Sequence, residues 1–137
     1  MYYVSTRGNA SRANFEDVLL KGLASDGGLF VPENWPRLSD DDIRNLRGLD
    51  YPTVACKVMT PFLGDTLDQR SLEKLVRDAY ETFDRATVAP LVQLDTDFWL
   101  MELFHGPTLA FKDVALQLLG RLFEYILELR QERVTVI

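Results

Sequence analysis

Residues 113 to 130, DVALQLLGRLFEYILELR, are apolar around most of a helical circumference. Val114, Leu116, Leu118, Leu119, Leu122, Phe123, Ile126, Leu127 and Leu129 leave only a narrow polar stripe of Asp113, Gln117, Arg121, Glu124 and Glu128. A helix clothed in this way cannot be satisfied by one-sided packing, so it must lie on a sheet and touch further neighbours. Upstream, Leu91 to Leu94 and Phe98 to Phe104 are β-prone runs separated by Asp95-Thr96-Asp97, which reads as a hairpin connection of three residues. Trp99, Met101 and Leu103 alternate with Leu100, Glu102 and Phe104, and so few polar positions predict a strand covered on both faces. Downstream, Val134-Thr135-Val136-Ile137 is an apolar, largely β-branched run that reads as another strand. Strand, helix and strand make a βαβ unit, with a parallel sheet and a ligand expected off the strand ends. The pattern therefore predicts an α/β fold whose βαβ portion begins near Ala86 and is incomplete at Ile137.

Lys112 stands at the foot of that helix, where unpaired N–H groups and a partial positive charge disfavour an ammonium. Apolar neighbours Leu109, Ala110 and Phe111 add a desolvation cost, and both effects favour the neutral amine. A neutral amine can attack an aldehyde, so a Schiff-base role is open. From charge and spacing alone, a surface lysine snorkelling out on its apolar stem is the commoner reading. His105, the one histidine, precedes Gly106-Pro107 in a stretch too constrained for helix or strand. Such a histidine serves either as a hydrogen-bonded loop residue or as an active-site group. Asp113 is placed to satisfy first-turn N–H groups and to fix the backbone of the lysine beside it.

Glu102 to Asp113, ELFHGPTLAFKD, resembles the pyridoxal-phosphate lysine motif of threonine synthases, over a length that makes the match specific. Tyr3 to Gly8 (YVSTRG), Phe15 to Glu33 (FEDVLLKGLASDGGLFVPE) and Thr60 to Asp65 (TPFLGD) look like the amino-terminal region of the same family. The resemblance covers nearly the whole chain. It implies a fold type II, tryptophan-synthase-like architecture. A mostly helical accessory domain would span residues 1–85, and the start of a pyridoxal-phosphate-binding catalytic domain would span 86–137. It implies an enzyme that converts O-phospho-L-homoserine and water to L-threonine and phosphate. Lys112 would form the Schiff base with pyridoxal 5'-phosphate, with Phe111 and Asp113 beside it as cofactor-contacting or positioning residues and His105 and Thr108 as substrate or loop residues. Family members run to several hundred residues, with later loops for substrate and for the cofactor phosphate that these 137 residues do not contain. The expectation is an amino-terminal fragment that is inactive alone and self-associates. Two alternatives stay open: a threonine-synthase-like phospho-lyase, and a non-enzymatic binding module.

A formal charge of −6, with basic residues scattered, argues against nucleic acid or an anionic membrane as partner. One cysteine, Cys56, excludes an internal disulfide and a multi-cysteine metal site, and reads as a small buried hydrophobe in a reducing compartment. Neither a basic-then-apolar leader nor an apolar run near the roughly 18 residues of a membrane span is found, so the expected location is cytoplasmic.

The first half reads as ordinary packed structure. Tyr2-Tyr3-Val4 is a short strand, and Arg7 after it is either a turn anchor or an anion ligand. Asn14 caps a helix carrying Phe15, Val18, Leu19 and Leu23 on one face and ending near Ser25. Asp26-Gly27-Gly28 supplies positive-φ positions for a tight turn before Leu29-Phe30-Val31, a reading preferred to a phosphate cradle because the wider glycine spacing is missing. Ser39 introduces a helix to Arg47 with Ile43 and Leu46 inward, whose Asp40-Asp41-Asp42 run suits a helix's first turn without any metal. A further helix from Tyr51-Pro52 puts Val54, Ala55, Val58, Met59 and Phe62 on one side, with Pro61 bending or ending it. From Asp68 to Phe83, Leu72, Leu75, Val76, Ala79, Tyr80 and Phe83 follow helical spacing, with Glu73–Arg77 and Lys74–Asp78 pairs outside.

Overall fold

The computed structural model describes residues 1–135 and shows a mixed helix-and-strand chain of two compact units. One comprises Met1–Gly48 with Cys56–Leu72, the other Leu49–Ala55 with the chain from Glu73 onward.

In the first unit, β1 (Tyr3–Ser5) pairs antiparallel with β2 (Phe30–Pro32), Val4 opposite Val31. Between them runs α1 (Phe15–Lys21), begun by Asn14, whose Oδ1 accepts the Asp17 N–H at 2.9 Å. The helix stops earlier than its apolar spacing suggests. Gly22 takes φ 68° and returns its N–H to the Val18 carbonyl, and Leu23 then bridges to Leu29 instead of continuing the helical face. Leu23 is accordingly exposed. The turn after it is organised by Asp26, whose carboxylate accepts the Ser5 hydroxyl at 2.7 Å and the N–H groups of Gly28 and Asn9 at 2.9 Å each. These bonds, Ser5 foremost, hold the Asp26 carboxyl below its ordinary value. Gly27 alone of the two glycines takes positive φ, 78°. Arg7 donates to the Asp26 carbonyl at 3.0 Å, which makes it a turn anchor.

Ser39 and Asp42 form a capping box at α2 (Asp40–Arg44), and Asp41 pairs with Arg44 at 2.7 Å, so two of the three clustered carboxylates serve their own helix. Ile43 corrects the sequence reading: it is 57% exposed, on a helix only 5 residues long. In α3 (Tyr51–Leu63), Pro61 is accommodated inside the helix, which ends two residues on before Gly64 at φ 62°. The Tyr3 hydroxyl donates to the Phe62 carbonyl at 2.8 Å, satisfying one of the last-turn carbonyls that a helix leaves unpaired. Cys56 is buried, as its isolation suggested.

α4 (Gln69–Tyr80) buries Leu72, Val76 and Ala79 in helical register, with Lys74 paired to Asp78 at 2.5 Å. In the second unit Arg77 reaches Asp50 at 3.2 Å, while Asp50 caps α3 through the Thr53 N–H. Tyr80 stacks edge-on with Tyr51 and Phe83, and its hydroxyl donates to the Val114 carbonyl at 3.0 Å. Burial, with Tyr51 adding to it, pushes the Tyr80 phenol well above its ordinary value. β3 (Leu91–Asp95) and β4 (Phe98–Met101) form the expected hairpin, with a register shift between Gln93 and Asp95. Every residue of both strands is exposed, Phe98 at 68% and Trp99 at 55%. The two-sided cover predicted for this strand is thus not supplied by the described residues. α5 (Asp113–Arg130) buries a single stripe, Leu118, Leu122 and Ile126, while Leu116, Leu119 and Leu129 stay exposed. Its end is set by Gln131 at φ 54°. Of the strand expected at Val134 to Ile137, Val134 and Thr135 lie in irregular structure, and Val136 and Ile137 fall outside the described residues.

Candidate active site

The segment from Glu102 to Lys112 leaves the hairpin and enters α5, and it is held by two side-chain anchors. Glu102 still belongs to the hairpin ladder, its N–H donating to the Pro90 carbonyl at 3.0 Å.

The first anchor is His105, buried at 6% exposure. Its Nδ1 lies 2.8 Å from Asp84 Oδ1 and its Nε2 lies 2.7 Å from Glu102 Oε2. The main chain reinforces the contact, since the Asp84 N–H donates to the His105 carbonyl at 3.1 Å. The Phe104 ring lies 4.7 Å from the imidazole, centre to centre.

Asp113 is the second anchor. Its carboxylate, expected to fill first-turn N–H groups, is buried and turned back on the loop. Oδ2 accepts the Thr108 N–H at 2.7 Å and the Thr108 hydroxyl at 2.9 Å, and Gln117 approaches Oδ1 at 3.4 Å. Burial alone would raise this carboxyl, but the bonds from Thr108 and Gln117 outweigh it and hold it below its ordinary value. Gly106 is required by the same contact. A Cβ there would stand 2.4 Å from Asp113 Cβ and 2.6 Å from Oδ2, closer than atoms pack.

Lys112 follows as the residue on which α5 begins. Its backbone is already helical (φ −60°, ψ −27°), its carbonyl accepts the Leu116 N–H at 2.8 Å, and its side chain is exposed. Phe111 and Leu109 are 65% and 71% exposed, so the apolar neighbours expected to withdraw the amine from water do not do so in this chain. The buried side chain of this turn is Asp113 instead. Leu109 takes φ 61°, a left-handed conformation uncommon for a bulky side chain.

Of the residues singled out from sequence, Thr108 and Asp113 are bonded to each other, Lys112 adjoins them, His105 is paired elsewhere, and Phe111 stands in solvent. Asp84 and Glu102 were not foreseen. Glu102 had a signal, a lone carboxylate in an apolar run three residues before the histidine; Asp84 had none. Among the described residues no group of three or more His, Cys, Asp or Glu side chains is arranged to hold a metal, and no helix is long and apolar enough to cross a membrane.

Residues 2–80 match the family model described as threonine synthase N terminus. The chain is 53% identical over 136 residues to the threonine synthase of Pseudomonas aeruginosa, covering 99% of this chain and 29% of that protein. It is 39% identical over 138 residues to human threonine synthase-like 2, covering 100% of this chain and 28% of that one. Among solved structures, the PLP-bound threonine synthase from Brucella melitensis superposes with a TM-score of 0.95 at 53% identity, over 97% of this chain and 29% of that one. The Escherichia coli threonine synthase gives a TM-score of 0.82 at 32% identity, over 92% of this chain and 28% of that one. The chain therefore spans somewhat under a third of the length of the relatives it matches.

Proposed function

The chain belongs to the threonine synthase family, and on that premise we propose that the full-length protein converts O-phospho-L-homoserine and water to L-threonine and phosphate, using pyridoxal phosphate attached to Lys112. The observation that carries this reading is the placement of Lys112: an exposed amine on the residue that begins an 18-residue helix, in a loop pinned by Asp113. A primary amine reachable from solvent fits the aldehyde of the cofactor. When bound, the cofactor supplies an electron sink for negative charge developing on the substrate. Lys112 Nζ, exchanged for the substrate amine, then takes and returns the protons at the α and β carbons, while phosphate leaves from the γ carbon and water adds at the β carbon. Asp113 and Thr108 keep the lysine's backbone in place; Phe111, exposed beside it, is available to the cofactor. The fold type II assignment, the carbon–oxygen lyase chemistry, a cytoplasmic location and a division of the assembled enzyme at residues 1–85 and 86–137 belong to the same proposal.

Borohydride reduction of the full-length protein followed by peptide mapping tests it. Label is expected at Lys112; Lys112→Ala should abolish it and lower turnover by about 10²–10⁴-fold through loss of the acid–base group alone. Label on another lysine would refute the assignment. A second reading is a threonine-synthase-like phospho-lyase that releases phosphate without forming threonine. Product analysis of the full-length protein separates the two.

The 137-residue chain by itself is expected to make no threonine and to self-associate. The hairpin and the outer face of α5 expose Phe98, Trp99, Met101, Leu116 and Leu119. Covering roughly five such side chains is worth about 1.5–3 kcal/mol each when burial is complete. The total approaches the whole stability of a typical domain, about 5–15 kcal/mol. Sedimentation across a concentration series should show a dimer or larger species; a well-ordered monomer throughout would contradict the expectation.

A further inference from the structure

We propose that His105 is a positioning residue for Lys112, and that Asp84 and Glu102 work through it. The proposal rests on the reading of Lys112 as the cofactor-bearing amine. A general base needs a lone pair facing the proton it takes. His105 has none to spare, because Asp84 Oδ1 stands 2.8 Å from Nδ1 and Glu102 Oε2 stands 2.7 Å from Nε2. Each ring nitrogen is thus taken up by a carboxylate oxygen, whichever tautomer the ring adopts. The imidazole thereby ties together three stretches of chain: the turn after α4 at Asp84, the end of the hairpin at Glu102, and the head of the loop that leads to Lys112. At 6% exposure, water cannot readily replace either bond.

The next residue transmits the constraint. Gly106 lies so close to Asp113 that an added Cβ would stand 2.4 Å from the Asp113 Cβ, and Asp113 adjoins Lys112 in the chain. A shift of His105 therefore presses on Asp113 and moves the backbone that carries the amine. The clamp sets where the lysine stands, and a misplacement of about 1 Å in a reacting group lowers rates by about 10²-fold.

In the full-length protein, wild type, His105→Gln, Glu102→Gln and the double variant are compared by three measurements. These are the rate at which pyridoxal phosphate added to cofactor-free protein becomes borohydride-fixable at Lys112, the pH profile of kcat, and the Tm of the cofactor-free protein. Each single variant should slow fixation by about 10- to 100-fold, lower kcat with KM nearly unchanged, and keep both limbs of the pH profile. The double variant should be no slower than His105→Gln, because Glu102 acts through the ring. Asp84→Asn, at a carboxylate 65% exposed, should show a smaller effect of the same kind and carries the test if His105→Gln does not fold. Three outcomes overturn the proposal. Loss of a pH limb in His105→Gln alone makes the histidine a base. Unchanged fixation in every variant, with only Tm lowered, makes the clamp a fold contact. Additive effects in the double variant detach Glu102 from the ring. If wild type is not fixed at Lys112, the underlying assignment falls instead.

Discussion

Two aspartates, one in each unit, organise a tight loop around a glycine that has no room for a side chain. Asp26 gathers the N–H groups of Asn9 and Gly28 and the Ser5 hydroxyl; Asp113 gathers the N–H and hydroxyl of Thr108. The devices share their chemistry and differ in their backbone. Beside Asp26 the left-handed position is filled by Gly27 (φ 78°), where it is free of strain, whereas in the loop before Asp113 it is filled by Leu109 (φ 61°). The relaxed loop carries no candidate catalytic group, and the strained one ends at Lys112. Strain kept beside the lysine proposed to carry the cofactor fits a site whose geometry matters more than its stability.

The largest expected contrast comes from the two close-packed glycines. At Gly28 an added Cβ would meet the Ser5 Oγ at 2.2 Å, a hydroxyl that can turn aside only by giving up its bonds with Asp26 and the Arg7 N–H, and Asp26 Oδ1 at 3.0 Å and the Arg7 nitrogen at 3.1 Å are close as well. At Gly106 it would meet Asp113 Cβ at 2.4 Å and Cγ at 2.8 Å, atoms fixed near the backbone of α5. Overpacking of this kind costs about 1–3 kcal/mol. Gly106→Ala should fall at or above the upper end, near 3 kcal/mol, and Gly28→Ala below it, about 2 kcal/mol, because a hydroxyl can move where a Cβ fixed to α5 cannot. Denaturant unfolding of the full-length protein measures both. Equal losses would mean that the Asp113 loop can yield, and the comparison would lose its basis.

How much of this was legible depends on whether a signal is local. Asn14 and Ser39 as caps and the buried Leu72, Val76 and Ala79 of α4 follow from residues within a turn of one another, whereas the helix read from Ser39 to Arg47 ends at Arg44. The lysine motif was readable only as a resemblance, because its chemistry is not written in periodicity. Asp113 stands out in the sequence but its bonds to Thr108 do not, since the sequence cannot show that Gly106 lets the chain fold back onto it. The Asp84–His105–Glu102 clamp was invisible because Asp84 is 21 positions from the histidine. Apolar patterning read the hairpin and α5 as covered, for it records that a surface avoids water and not which segment covers it.

A smaller contrast is electrostatic. Both carboxyls have folded-state values below their ordinary 3.8, so each contributes stability that is fully present above that value and is lost as pH falls through the lowered one. In acid titrations of stability, Asp26→Asn and Asp113→Asn should each flatten the dependence below about pH 4 and leave neutral pH-dependence unchanged. Flattening by Asp26→Asn alone would show that only the relaxed clip stays ionised into acid, and would split the pair.

The smallest effect is expected from relieving the strain itself. A bulky residue at left-handed φ costs about 1–3 kcal/mol, and glycine there would remove that cost while adding about 0.5–1 kcal/mol of backbone entropy in the unfolded chain. Leu109 is 71% exposed, so deleting its side chain forfeits little burial. Leu109→Gly should therefore raise stability by roughly 1 kcal/mol, whereas Gly27→Ala, at φ 78° and with an added Cβ 3.0 Å from Arg7 Nη1, should lower it. If the strain helps hold the lysine, Leu109→Gly should also slow cofactor fixation at Lys112 a few-fold while the protein becomes harder to unfold. A variant less stable than wild type would show that the leucine side chain makes contacts worth more than its backbone strain. The two loops would then differ in packing and not in what they store.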